Sequence, residues 1–139
     1  MPIPSEYQRA SLEFDKFMAD ARDISGLTTT NMAWNMVVGV LYTFRRRLDV
    51  KDATRFANVL PPVLRAILVA DWNTDEPRLP FGDRAAMTRE VQSLRAAHNF
   101  APETAIHDVA MALRRNINEE DLDRVLAGLP EGAMDFWRA

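Results

Sequence analysis

Two prolines interrupt RFANVLPPVLRAILVADW (residues 55–72), a stretch whose apolar pattern is otherwise helical. Pro61 has no N–H group for a helical hydrogen bond, and its ring disfavours helical geometry at Leu60. Proline is well suited, however, to the first turn of a new helix. The stretch therefore predicts a corner, at which one short helix ends and another begins in a new direction.

The same pattern recurs near the end of the chain, in RVLAGLPEGAMDFW (residues 124–137). Leu129 and Pro130 stand where the first stretch has Leu60 and Pro61, and both stretches end in a tryptophan. The recurrence predicts a second corner of the same kind.

Apolar residues recur at three- and four-residue steps through the rest of the chain, and no segment alternates as a half-buried strand would. A first long helix is expected from a cap at Ser5 to a left-handed glycine at Gly26. A second is expected to follow, with Trp34 on its buried face and Arg45-Arg46-Arg47 at its exposed end. These features predict an all-α fold.

The second half of the chain repeats this plan at an offset of about seventy residues. Asn99 takes the place of Gly26 as the left-handed residue that ends a helix, and Phe100 is expected to fold back onto it. Asp49 and Asn118 are expected to cap the short helix before each corner.

We therefore predict two tandem repeats, over about residues 5–72 and 83–137, joined by a linker at 73–82. Each repeat has two long helices and a pair of short helices broken at Leu-Pro. The repeats are expected to pack into one helical bundle, so that residues 1–139 form a single domain.

One set of residues in this pattern is shared with a known family: Leu41-(x)3-Arg45-(x)2-Leu48, Ala53, Leu60-Pro61-(x)2-Leu64-Arg65, Trp72, Phe81 and Leu129-Pro130. In these residues the sequence resembles the uncharacterised bacterial family DUF2267 (domain of unknown function). The resemblance covers about residues 27 to 137, and it implies an all-helical fold without an established activity, ligand or catalytic residue. Met134 stands where the second copy would repeat Arg65, so any family role of that arginine occurs once.

Composition excludes several kinds of chemistry. The chain has 139 residues and no cysteine, which excludes thiol catalysis and cysteine-ligated metals. Its two histidines, His98 and His107, lack the spacing of a metal site, and no glycine-rich phosphate loop is present. We therefore expect a protein that is not an enzyme and that has no catalytic residue, metal or cofactor.

Charge argues against nucleic acid as the partner. The formal net charge is −3, and residues 73–139 hold eight basic and twelve acidic residues. Binding to a phosphate backbone requires an excess of positive charge. Nucleic-acid binding by a helix-turn-helix unit that uses Arg45, Arg46 and Arg47 is the second hypothesis.

Membrane insertion and export are not expected. No apolar stretch approaches the roughly 20 residues that span a bilayer, and the first residues do not form a signal peptide. We expect a cytoplasmic protein without a membrane partner.

The leading hypothesis is a non-enzymatic helical interaction module that binds a partner protein, or itself, in the groove between the repeats. Trp72, Phe81 and Trp137 are expected to line that groove. Arg65 lies beside apolar residues, so its guanidinium needs carboxylate or carbonyl partners. One alternative is that Arg65 stabilises the corner. The other is the third hypothesis for this protein: a small-ligand-binding protein or an enzyme, in which Arg65 binds the ligand.

Overall fold

Nine α-helices and one 3₁₀ turn make up the regular structure of the chain, and a computed structural model describes all 139 residues. No strand is present, which confirms the all-α prediction. The helices are α1 (Ser5–Gln8), α2 (Ala10–Ser25), α3 (Thr30–Arg45), α4 (Val50–Ala57), α5 (Pro62–Val69), α6 (Arg84–Ser93), α7 (Ala105–Asn116), α8 (Glu119–Ala127) and α9 (Ala133–Phe136), and the 3₁₀ turn is Ala96–His98.

Both corners lie where the prolines predict them. α4 ends at Ala57, and α5 begins at Pro62 after Pro61, which is extended with φ −62° and ψ 158°. In the second half α8 ends before Pro130, and α9 follows it.

The predicted helix ends are largely in place. Gly26 is left-handed with φ 76°, and its N–H donates to the carbonyl of Asp23 at 3.3 Å. Four side chains accept a hydrogen bond from the N–H three residues ahead, which satisfies a donor that the helix leaves free. They are Thr29, Asp49, Asp83 and Asn118.

α3 is the central helix, with eleven buried residues among its sixteen. A helix that is buried on nearly all sides packs neighbours all round it. At Gly39 the neighbour is α6, since a β-carbon there would lie 2.7 Å from the carbonyl oxygen of Val91. Only glycine allows this approach.

The largest helix contacts join the two halves of the chain. α2 packs most extensively on α7, and α3 packs most extensively on α6. Thirty-two buried apolar residues form one cluster that both halves share. The division of the chain into two tandem repeats, each with two long helices and a pair of short ones, stays a prediction.

An aromatic cluster fastens the linker and the end of the chain to α3. The ring of Phe44 lies 4.7 Å from Phe56, 5.7 Å from Phe81, 5.0 Å from Phe136 and 5.4 Å from Trp137, between ring centroids. Residues 73–82 contain no regular helix, yet Phe81 anchors them to the core.

The cap predicted at Ser5 is wrong. α1 is a single turn without a side-chain cap, and the helix is interrupted at Arg9 before α2 begins. This end of the chain extends beyond the core, and no residue of α1 is buried. Apolar packing is what stabilises most short helices, so the first turn remains separate.

The end of α6 also differs from its prediction. Asn99 is not left-handed (φ −112°), and Arg95 takes that conformation instead, with φ 47°. The side chain of Asn99 donates to the carbonyls of Val91 and Leu94, both at 2.8 Å, and so caps α6 from outside. Phe100 is consequently 51% exposed rather than folded back.

The predictions for three positions on α3 or just after it are wrong as well. Trp34 is 40% exposed, not buried. Arg45 and Arg47 are each only 6% exposed, because the end of the central helix is itself covered. None of the helices has both the length and the apolar character needed to cross a membrane.

Candidate functional site

The four residues predicted to form the site do not line one cavity, although Phe81 and Trp137 both pack around Phe44. Trp137 is completely buried in the aromatic cluster and presents no surface to a ligand. Trp72 is half-buried near Arg45, whose Cζ lies 5.6 Å from the centre of the Trp72 ring. Phe81 lines a separate cleft at the linker. The groove predicted from these three aromatic residues is therefore not assembled by them.

Arg65 joins the N-terminal turn to the rest of the molecule. It donates to Oε2 of Glu6 at 2.9 Å and to the hydroxyl of Tyr7 at 3.3 Å. Its partner is thus a carboxylate on α1 rather than the carbonyls freed by Pro61. In this position Arg65 braces α1 against α5, and it lines none of the three largest cavities.

Arg45, rather than Arg65, binds backbone carbonyls. It donates to the carbonyls of Leu68 (2.8 Å), Ala70 (2.6 Å) and Asp71 (3.2 Å), just where α5 ends. Burial lowers the pKa of its guanidinium, and stacking at 3.7 Å over the ring of Tyr42 covers one of its faces. Arg45 therefore positions the segment that follows α5.

Sequence spacing contains a signal for this role. Arg45 lies four residues after Leu41 and three before Leu48, which places it on the same face as two core leucines. A charged residue on such a face needs buried partners. Arg47 has them too, since it donates to the carbonyl of Thr43 and to Glu90. Two of the three arginines needed by the nucleic-acid hypothesis are therefore engaged inside the protein.

An apolar groove of about 510 Å³ lies between α3, α5 and the end of α6. Its volume is typical of a binding cavity. Because α3 and α5 belong to the first half and the end of α6 to the second, the groove lies between the predicted repeats. Its apolar walls are formed by Trp34, Val38, Val63, Ala66, Ile67 and Leu94.

Two strained residues stand at the rim of this apolar groove. Asp71 (φ 53°) and Arg95 (φ 47°) are the two non-glycine residues with positive φ. The left-handed conformation costs an L-residue about 1–2 kcal/mol, and aspartate tolerates it better than arginine does. Such strain is concentrated at functional sites in proteins. Both side chains are solvent-exposed, and Arg95 forms no salt bridge.

Trp34 separates the groove from a second cavity of about 410 Å³, which Phe14 and Met18 help to line. The ring of Phe14 meets Trp34 edge-on, with 6.3 Å between the ring centroids. Asn35, the next residue, donates to the carbonyl of His98 at 3.0 Å and ties α3 to the turn after Arg95. Trp34 therefore packs against Phe14, is partly exposed, and lines both the groove and the second cavity.

The sequence predicts a buried Trp34 because α3 is apolar on most of its faces. Trp34, Val38 and Tyr42 lie on one stripe of the helix at four-residue steps, and all three line the groove. The apolar pattern of the sequence includes this stripe. Other stripes of α3 are equally apolar, but neighbouring helices bury them.

Comparison with known proteins agrees with the resemblance carried by Arg45, Arg65 and Trp72. No curated protein matches the chain. A family model described as "Uncharacterized conserved protein (DUF2267)" matches residues 14–136, which is most of the 139-residue sequence. The chain belongs to the DUF2267 family.

Proposed function

We propose that this protein is a non-enzymatic interaction module that binds an apolar, helical segment of a partner protein in the groove beside Trp34. The observation that carries the proposal is the 40% exposure of Trp34 at the junction of two cavities. Tryptophan is enriched among the residues that contribute most to protein–protein binding.

The shape of the surface favours a chain segment over a compact molecule. Each cavity alone has the volume of a small-ligand site. Because the two share Trp34 as a wall, the concave surface continues past either one. An amphipathic helix with apolar residues at three- and four-residue steps fits a surface of this length.

Charge at the rim specifies the partner further. Arg95 has no carboxylate partner and stands next to the apolar wall formed by Leu94. A segment with an acidic residue beside its apolar face would give Arg95 that partner. We therefore expect an apolar helix flanked by aspartate or glutamate.

A matched pair of variants on α5 tests the proposal. Ala66 lines the groove and is exposed, so Ala66→Arg blocks the groove without disturbing the core. Val69 is 52% exposed on the same helix and does not line the groove, which makes Val69→Arg the control.

Amphipathic helical peptides selected from a display library serve as the probe, and their affinity is measured by fluorescence anisotropy. We expect Ala66→Arg to weaken binding of the selected peptides at least about tenfold, as loss of a central interface contact does, and Val69→Arg to leave it unchanged. Equal binding to both variants would contradict the proposal. A dimer in sedimentation that Ala66→Arg dissociates would instead identify a second copy of the chain as the occupant.

A further inference from the structure

A third cavity lies where the linker passes α6 and the turn that precedes α9. Its volume is about 610 Å³, and its residues differ from those of the apolar groove. Arginines from three separate segments line it. Arg47 follows α3, Arg78 lies in the linker, and Arg84 opens α6.

Arg47 is a buried cation whose hydrogen bonding is incomplete. It is 6% exposed, and two of its nitrogens donate to the carbonyl of Thr43 (2.8 Å) and to Oε2 of Glu90 (2.6 Å). Its Nε is buried without any partner. A buried donor of a charged group that has no acceptor costs free energy. The protein itself supplies no acceptor for this Nε.

The other two arginines have no carboxylate within 4.0 Å. Arg84 donates through one nitrogen to the carbonyls of Asp135 (2.5 Å) and Phe136 (3.4 Å). Burial lowers the pKa of its guanidinium. Arg78 is exposed and forms no hydrogen bond with its side chain, so its donors are available to a ligand.

Two carboxylates, Glu131 and Asp135, also line the cleft, and the charge of Asp135 acts on Arg84. Asp135 is paired with Arg138 at 2.7 Å, and Glu90 is paired with Arg47. Glu131 is the carboxylate of the lining that forms no salt bridge. The lining thus holds three arginines and two carboxylates, although the whole chain carries a net charge of −3.

We infer that this arginine cleft binds the oxyanion of a small molecule, a phosphate monoester or a carboxylate, whose apolar part packs against Phe81. Guanidinium groups bind both kinds of oxyanion through paired N–H donors. Phe81, Pro80 and Pro130 supply an apolar wall beside the charged groups. The inference is independent of the proposed function, since the arginine cleft and the apolar groove share no residue.

Phenyl phosphate and benzoate are the probes, because each joins a ring to one of the two oxyanions. Binding to the full chain is measured by isothermal titration calorimetry. Arg78→Gln removes a cleft cation that has no structural partner, so the fold is expected to be retained. Arg89→Gln removes an exposed cation of α6 that does not line the cleft, and it is the control.

We expect at least one probe to bind saturably and Arg78→Gln to weaken that binding about tenfold or more, as loss of a hydrogen bond to a charged group does. Arg89→Gln should bind as the wild type does. The tighter probe identifies the oxyanion, and either result supports the site. Absence of saturable binding by both probes, or equal binding by Arg78→Gln and the wild type, would overturn the inference.

Discussion

A β-carbon on Gly39 would lie 2.7 Å from the carbonyl oxygen of Val91, so α3 and α6 approach more closely than any residue other than glycine allows. The obstacle is backbone, which cannot move aside as a flexible side chain can. The contact joins the first half of the chain to the second, and it holds the wall of the apolar groove that α6 provides.

Gly39→Ala should therefore destabilise the protein, by about 1–2 kcal/mol. Overpacking costs roughly 1–3 kcal/mol, which exceeds the gain of up to about 1 kcal/mol that alanine brings to a helix. Urea denaturation measures the change. Gly82→Ala is the control, since a β-carbon at Gly82 meets nothing within 4 Å. A Gly39→Ala protein as stable as the wild type would show that the helices can separate without cost.

Arg45→Met should destabilise the protein by about 2–4 kcal/mol, because three carbonyls at the end of α5 lose their donor. Thermal unfolding measures this loss, and hydrogen exchange locates it in residues 68–72. Arg46 offers the comparison, since its side chain is 38% exposed and its nearest carboxylate oxygen lies 3.9 Å away. Arg46→Met should stay within about 0.5 kcal/mol of the wild type. Equal effects of the two changes would rule out a bracing role for Arg45.

Low pH should weaken the contact between α2 and α7, because it protonates the carboxylate of Asp20. Asn116 donates to Oδ2 of Asp20 at 2.8 Å, and this hydrogen bond, with help from Lys16, lowers the pKa of Asp20. A carboxyl whose pKa is lower in the folded state stabilises the fold above its unfolded pKa, and this stabilisation is lost as the pH falls through the folded value. The free energy of unfolding should accordingly fall on acidification below about pH 4.

Asp20→Asn removes the titrating group, so the pH dependence of unfolding should be flatter in this variant. Asn116→Ala should flatten it as well, because it removes the hydrogen bond that is the largest cause of the shift. Urea denaturation across a series of pH values measures both. Slopes identical to that of the wild type would mean that this pair does not couple stability to pH.

Neither half of the chain should fold alone. α2 packs most on α7, and α3 packs most on α6, so separation exposes the main apolar face of every long helix. Fragments 1–82 and 83–139 should each show low helicity in circular dichroism, and mixing them should restore it. Cooperative thermal unfolding of either fragment by itself would contradict this expectation.

Helix ends and corners could be predicted because their causes lie within a few residues. Pro61 lacks an N–H whatever surrounds it, and the caps at Thr29, Asp49 and Asn118 bind an N–H three residues ahead. Asn99 shows where such local reasoning fails. Its side chain reaches back five and eight residues to cap α6, so its backbone need not be left-handed.

The candidate sites depend on neighbours that are distant in sequence. Arg45 meets its first carbonyl 23 residues away and Arg47 its carboxylate 43 residues away. The spacing of Arg45 from two core leucines indicates that it is buried, but it does not identify these partners. The linker could be recognised from its composition. The sequence did not indicate that Arg47, Arg78 and Arg84 line one cleft beside it.

The amino-acid order alone thus specified which segments are helical, where they turn at Leu-Pro, and which residues are apolar enough for a core. Assembly of the helices specified which of those apolar faces stays open. α3 is apolar on most sides, and its stripe through Trp34, Val38 and Tyr42 borders a groove because α5 and α6 pack against the other faces. Periodicity measures the hydrophobicity of a face, whereas exposure depends on how many neighbouring helices there are to cover it.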